Sequence, residues 1–180
     1  SLPISSSPLK LRATYAYLLQ NELKKKYMII FVPSCKECHY LANLLELFKL
    51  RVSPIHSKMP QRKRLESLEK FKSKINNILL ATDIASRGLD IPNVDLVLNY
   101  NVPRSPDTYI HRIGRTARAG KKGESLSFVS QYDVELVLAI EEKIGEKLTE
   151  FVVDKETIME DLTIISKAMK LVKMVIILLI

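Results

Sequence analysis

The chain is short of acid, of cysteine and of long apolar runs. Its 20 acidic side chains against 28 basic ones leave a formal net charge of +8, which favours an acidic partner such as nucleic acid or an anionic membrane surface without choosing between them. The opening SLPISSSP has neither the apolar core nor the cleavage pattern of a secretory signal, which points to an intracellular protein whose two cysteines are reduced thiols. Cys35, Cys38 and His39 spell the C-x-x-C-H of covalent haem attachment, and C-x-x-C also opens redox and zinc sites. Haem attachment needs an exported protein, a four-ligand zinc site needs a second pair that the chain lacks, and the flanking pattern makes Lys36 to Leu47 an ordinary amphipathic helix. The terminal run MVIILLI is too short for the roughly 20 apolar residues that span a bilayer, so no membrane span is expected. Internal repeats and low-complexity tracts are absent as well. At 180 residues and 47% apolar content, the chain suffices for one well-buried core with an appendage.

Against these shortages stands one crowded stretch, SPDTYIHRIGRTARAG, from Ser105 to Gly120. His111, Arg112, Arg115 and Arg118 fall three or four residues apart, which predicts that they share one face of a helix or its immediate exit. The only acid among them is Asp107, so an outside anion is expected to face the four. Arginine suits phosphate because its guanidinium is planar, permanently charged and donates in a fork. A solvated basic helix face is the alternative. Ser105 before Pro106 reads as N-cap and first helical position, and Gly114 as the exit.

In chain order, Leu9 to Leu23 has a helical apolar period, and Lys24 to Lys26 are expected to cap it against the helix dipole. Met28 to Val32 reads as a strand buried on both faces, followed by the helix from Lys36 and a weaker strand, Arg51 to His56. A helix over Pro60 to Phe71 is expected to turn Leu65, Leu68 and Phe71 inward. Further strands are Ile78 to Ala81, Asp95 to Asn99 and Ser125 to Val129, and a last helix, Asp133 to Ile144, is expected to pack Val134, Val137, Leu138 and Ile140 to Ile144 on the sheet. Strands alternating with helices, without a tight hairpin, predict an α/β fold: a parallel sheet with helices on both faces.

In such a sheet ligands bind beyond the carboxyl ends of the strands. The third strand runs there into Thr82-Asp83 and the polar loop IASRGLDIP. Thr82 can bond phosphate through hydroxyl and backbone, Gly88 lets a ligand approach the main chain, and Asp90 can accept from sugar hydroxyls. An Asx-type turn with a local Arg87–Asp90 pair is the alternative. Between Lys58 and Lys74, seven basic residues face Glu66 and Glu69; most suit a solvated face, but Gln61 and Arg64 sit in the first helical turns, where free N–H groups favour an anion.

These motifs carry a family resemblance. ATDIASRGLDIP (Ala81 to Pro92) and YIHRIGRTAR (Tyr109 to Arg118) resemble motifs V and VI of DEAD-box RNA helicases, IIFVPS (Ile29 to Ser34) is similar to motif IV, and Gln61 with Arg64 to the Q-x-x-R that follows it. The resemblance covers roughly Leu9 to Leu148 and is to the second of that family's two RecA-like domains. The G-K-T loop, the D-E-A-D tetrad and the S-A-T motif of the first domain are nowhere in the sequence.

The resemblance implies that ATP, with Mg²⁺, is held mainly by a separate N-terminal DEAD-containing domain, while this one closes over ATP and RNA. Arg115 and Arg118 then match arginine fingers stabilising charge on the γ-phosphate. Asp90 matches a ribose contact, and His111 and Arg112 match positions that couple to the first domain. Thr82, Gly88, Gln61 and Arg64 match positions along the RNA backbone, which is gripped without sequence reading. Ser86, Ala117, Ser57 and Asn101 depart from commoner family residues without removing an assigned role. SQYDVELVLAIEEKIGEKLTEF (Ser130 to Phe151) is similar to members of small-ribosomal-subunit assembly, which implies pre-ribosomal RNA as substrate and a nucleolar location in the nucleus. The expected organisation is a disordered start over 1–8, the RecA-like domain over 9–148 and a helical extension outside the core over 149–180, in a monomer. The competing readings are a stand-alone RNA-binding or regulatory module without ATPase activity, and a scaffold using the apolar tail from Leu171 to Ile180.

Overall fold

Runs of branched and aliphatic residues set the strands. In the computed structural model, which describes residues 8–23, 26–116, 123–151 and 163–171, MIIF forms β1 (Met28–Phe31), ILLA forms β3 (Ile78–Ala81) and LVLN forms β4 (Leu96–Asn99), every residue buried. Burial on both faces is what makes these runs continuous instead of alternating. β2 (Val52–Ile55) and β5 (Glu124–Ser127) complete a parallel sheet of order β2-β3-β1-β4-β5. Pro54 in β2 sits on an edge strand, where a missing N–H leaves no ladder bond unmade.

The helices fall on two faces. Ile30, Leu80 and Leu98 meet α1 (Pro8–Leu23), through Ala13, Ala16 and Leu19, and α2 (Cys35–Leu47), through Leu41, Leu44 and Leu45. Ile29, Phe31, Leu79 and Val97 meet Leu68 and Phe71 of α3 (Gln61–Lys72) and Ala85 of α4 (Asp83–Ser86). A third cluster joins α5 (Pro106–Ile113) to α6 (Val134–Ile144) through Tyr109 and Ile140. The α/β architecture and the five expected strands stand within a residue or two of their predicted limits.

Several packing expectations are corrected. Leu65 is half exposed, because the buried stripe of α3 runs through Ser67, Leu68 and Phe71. Val134 and Leu138 are likewise exposed: at about 100° per residue both are turned well away from Ile140, and α6 packs on α5 instead of on the sheet. Lys26 pairs with Glu124 of β5 in place of capping α1; Lys24 and Lys25 lie outside the described residues. A helix over residues 163–171 buries Ile165, Ala168 and Met169 in the main core, and the Tyr40 hydroxyl donates to the Met169 carbonyl at 3.4 Å. That part of the expected extension therefore packs on the domain. Residues 1–7, 152–162 and the tail beyond 171 lie outside the described residues, and no described helix is long and apolar enough to cross a membrane.

Candidate functional site at the carboxyl edge of the sheet

The site begins with the start of α5. Ser105 is extended (φ −142°, ψ 148°), and its hydroxyl accepts from the Thr108 N–H, with Pro106 in the first turn where its missing N–H costs nothing. That cap sets the phase of the helix, and with it which cation faces where. His111 is exposed and Arg115 half-buried, both on a cleft lined also by Phe31, Asp83, Ser86, Arg87 and Thr108. The exit of α5 is held twice: the Val94 N–H donates to the Arg115 carbonyl at 3.0 Å, and the Thr116 hydroxyl donates to the Val94 carbonyl at 2.8 Å. A Cβ on Gly123 would lie 2.5 Å from that hydroxyl, so only glycine fits there. The main chain under Arg115 is thus fixed while its guanidinium is unpaired among the described residues.

Arg112 departs from the expectation of four cations facing one way. Only 2% exposed, it turns inward and donates Nε and Nη2 to the two oxygens of Asp83 at 2.7 and 2.8 Å. Nη1 reaches both Asn99 Oδ1 and the Asn101 carbonyl at 3.0 Å, and the guanidinium lies 5.0 Å from the centre of the Phe31 ring. The sheet order explains the reach: β1 lies between β3 and β4, so a side chain from α5 crosses the end of β1, where Phe31 sits, to meet the acid that opens α4. The coupling to a first domain expected of Arg112 would act through this buried guanidinium, which also lines the cleft. It is an internal strut, and the anion that balances it is Asp83. Arg118 lies outside the described residues.

Arg87, which sequence reasoning treated only as a local partner of Asp90, instead lines the cleft with His111 and Arg115. Two arginines and an imidazole without a described acid partner face one concavity, since Asp83 is already engaged, and this suits a polyphosphate. Asp107, the lone acid of the stretch, points away to Lys143 of α6 at 3.5 Å.

A second group lies around α3 and α4. Arg64 donates Nη1 to Gln61 Oε1 at 3.1 Å and Nη2 to the Ala85 carbonyl at 3.4 Å, while its buried Nε has no partner. Thr82, 6% exposed, also keeps its hydroxyl oxygen unpartnered, and its N–H donates to the Ile55 carbonyl at 3.4 Å. Both atoms retain hydrogen-bonding capacity that a water or an outside ligand could meet. Gly88 holds φ +71° in the open, a conformation that glycine adopts without strain. The segment Thr82–Ser86, expected as an open loop, contains the single turn α4. Asp90 pairs with Lys72 at 2.9 Å, and not with Arg87; that hydrogen bond and charge hold its carboxyl below the usual range.

The cysteines lie on α2. Cys35 Sγ is 3.3 Å from the Ser57 hydroxyl, whose hydrogen bond lowers its pKa, while burial pushes Cys38 up to about 12. His56, buried at the end of β2, has its pKa lowered by that burial.

A parallel five-stranded sheet flanked by helices, with a polar cluster on its carboxyl edge and Arg115 presented at a helix exit, defines a RecA-like domain. The family model for the helicase conserved C-terminal domain matches residues 10–120. The chain belongs to that family and is a C-terminal domain of the DEAD-box RNA helicase type. It is 53% identical over 130 residues to the ATP-dependent RNA helicase dbp8 of Schizosaccharomyces pombe, covering 72% of this chain and 29% of that protein. Among solved structures it resembles the E. coli DEAD-box protein SrmB bound to the regulator RraA (39% identity, TM-score 0.73, 82% of this chain and 86% of that one). It also resembles domain 2 of the DEAD-box helicase Mss116p bound to an RNA duplex (31% identity, TM-score 0.71, 84% and 63%). The chain spans about 30% of the length of the curated relatives it matches.

Proposed function

We propose that this chain is the closing half of an ATP-dependent RNA helicase. It meets an N-terminal DEAD-containing domain of the same protein, and ATP and the RNA backbone are enclosed between the two. The observation that carries the reading is the division of labour on α5. Arg112 is spent inside the domain, whereas His111 and Arg115 are left facing the cleft with Arg87. A domain that only bound RNA has no use for an arginine held ready, without an acid partner, on a fixed main chain at a helix exit.

Arg115, together with Arg118, stabilises the charge that develops on the γ-phosphate, and His111 contacts the first domain. Mg²⁺ is held by that first domain. Thr82, Gly88, Gln61 and Arg64 grip RNA phosphates and 2′-hydroxyls, and Asp90 accepts from the ribose of the nucleotide. The relatives that bear the name ATP-dependent RNA helicase support this assignment, as does the RNA duplex on domain 2 of Mss116p. The resemblance of Ser130 to Phe151 to members of small-ribosomal-subunit assembly carries the further proposal of pre-ribosomal RNA as substrate and a nucleolar location, with a monomer proposed as the working form.

The test is RNA-stimulated ATP hydrolysis by this chain alone, and then joined through a short linker to a DEAD-containing first domain. Silence alone with activity after joining supports the closing half. Hydrolysis by the chain alone overturns it, and silence in both favours the stand-alone RNA-binding module.

A further inference from the structure

Helix α3 touches the segment that follows β3 at two places. Arg64, in its first turn, donates to the Ala85 carbonyl at 3.4 Å, and Lys72, its last residue, donates Nζ to Asp90 Oδ2 at 2.9 Å. Gly88, with φ +71°, lies between the two contacts. The segment between them is therefore free to bend at the glycine but is fixed at both ends to one rigid helix. The Asp90 side chain is 95% exposed and Lys72 is its one hydrogen-bond partner among the described residues. Without Lys72 nothing would hold this carboxylate in any one orientation.

We propose that Lys72 is a positioning residue for the nucleotide: by taking Oδ2 of Asp90 it turns Oδ1 outward, ready to accept a ribose hydroxyl. The inference rests on the reading of Asp90 as a ribose contact and adds a residue to it. The depressed carboxyl pKa of Asp90, due first to its hydrogen bond with Lys72, agrees with an acceptor kept charged. Chemically, an ammonium with three donors suits the task, since one N–H fixes the carboxylate and the others remain for water or for the sugar. Because Gln61 and Arg64 occupy the other end of the same helix, the ribose acceptor and the proposed RNA contacts are referred to one rigid body.

The experiment measures KM and kcat for ATP at saturating RNA, and ADP affinity by calorimetry, in the chain joined to a DEAD-containing first domain. Lys72→Met is expected to raise KM and the ADP Kd together by about two- to fivefold, the range that ordering by an exposed ion pair allows, with kcat unchanged. Lys72→Arg should restore both. The effect should shrink with whichever of 2′-deoxy- and 3′-deoxy-ATP lacks the hydroxyl that Asp90 receives, and Lys72→Met added to Asp90→Ala should change nothing further. A Lys72→Met effect that persists in the Asp90→Ala background, that falls on kcat, or that is absent while Asp90→Ala alone weakens ATP, overturns the role of Lys72. If Asp90→Ala itself leaves KM and the ADP Kd unchanged, it is the ribose reading of Asp90 that fails.

Discussion

Arg112 and Arg115 are three residues apart, carry the same side chain and have opposite tasks. Arg112 is enclosed by four hydrogen bonds and an aromatic ring, and its loss would strand the Asp83 carboxylate and the Asn99 side-chain oxygen. Arg112→Leu is therefore expected to lower the stability of the domain by about 3 kcal/mol, the lower end for a broken buried pair because Asp83 is partly exposed; urea unfolding of the isolated chain measures it. Arg115→Ala should leave the unfolding curve in place and, in the joined protein, cut kcat on the order of 10³-fold with KM little changed, as expected of a group that acts in the transition state. Equal losses in kcat and ATP affinity would remove the finger role. The two cysteines divide in a similar way. Hydrogen bonding favours the thiolate at Cys35, whereas burial keeps Cys38 protonated with a pKa of about 12. Iodoacetamide near pH 8 should label Cys35 first and reach Cys38 only on unfolding, as peptide mass mapping would record.

Among the elements, α5 and the turn after α4 carry the site, and each depends on one residue. Ser105→Ala removes the cap that starts α5 and should cost about 1 kcal/mol, while Ser105→Gly should cost only a few tenths; thermal melts of the two variants give the comparison. Gly88→Ala places a Cβ at φ +71° and should cost about 1 kcal/mol through backbone strain alone, since no atom lies within 4 Å of the added carbon. A larger loss would mean that the segment is more confined than its exposure indicates.

For the whole molecule, the sheet was legible because its three central strands are short apolar runs bounded by polar residues, and parallel pairing followed from the helices between the strands. The cap at Ser105 was legible from its residue type. What could not be read was any contact that depends on the order of strands. The spacing of Arg112 from His111 and Arg115 places it on a helix face but does not say that an acid 29 residues earlier waits across β1. The partner of Asp90 was missed for the same reason: Arg87 is nearer in sequence, but Lys72 is nearer in space. Periodicity also overcounted the core, since Leu65, Val134 and Leu138 fit an apolar period yet lie off the buried stripe.

Through the strut, α4 and α5 are joined across a strand that belongs to neither, and α5 is tied again to the loop before β4. Among the described residues these bonds tie the two helices and that loop into one unit, which is expected to act as a door leaf and not as a spring. On the closing-half reading proposed above, the movement is expected at the connection to the first domain and not within this leaf. Stiffening the connection between the two domains should slow turnover far more than any stabilising substitution made within this sheet.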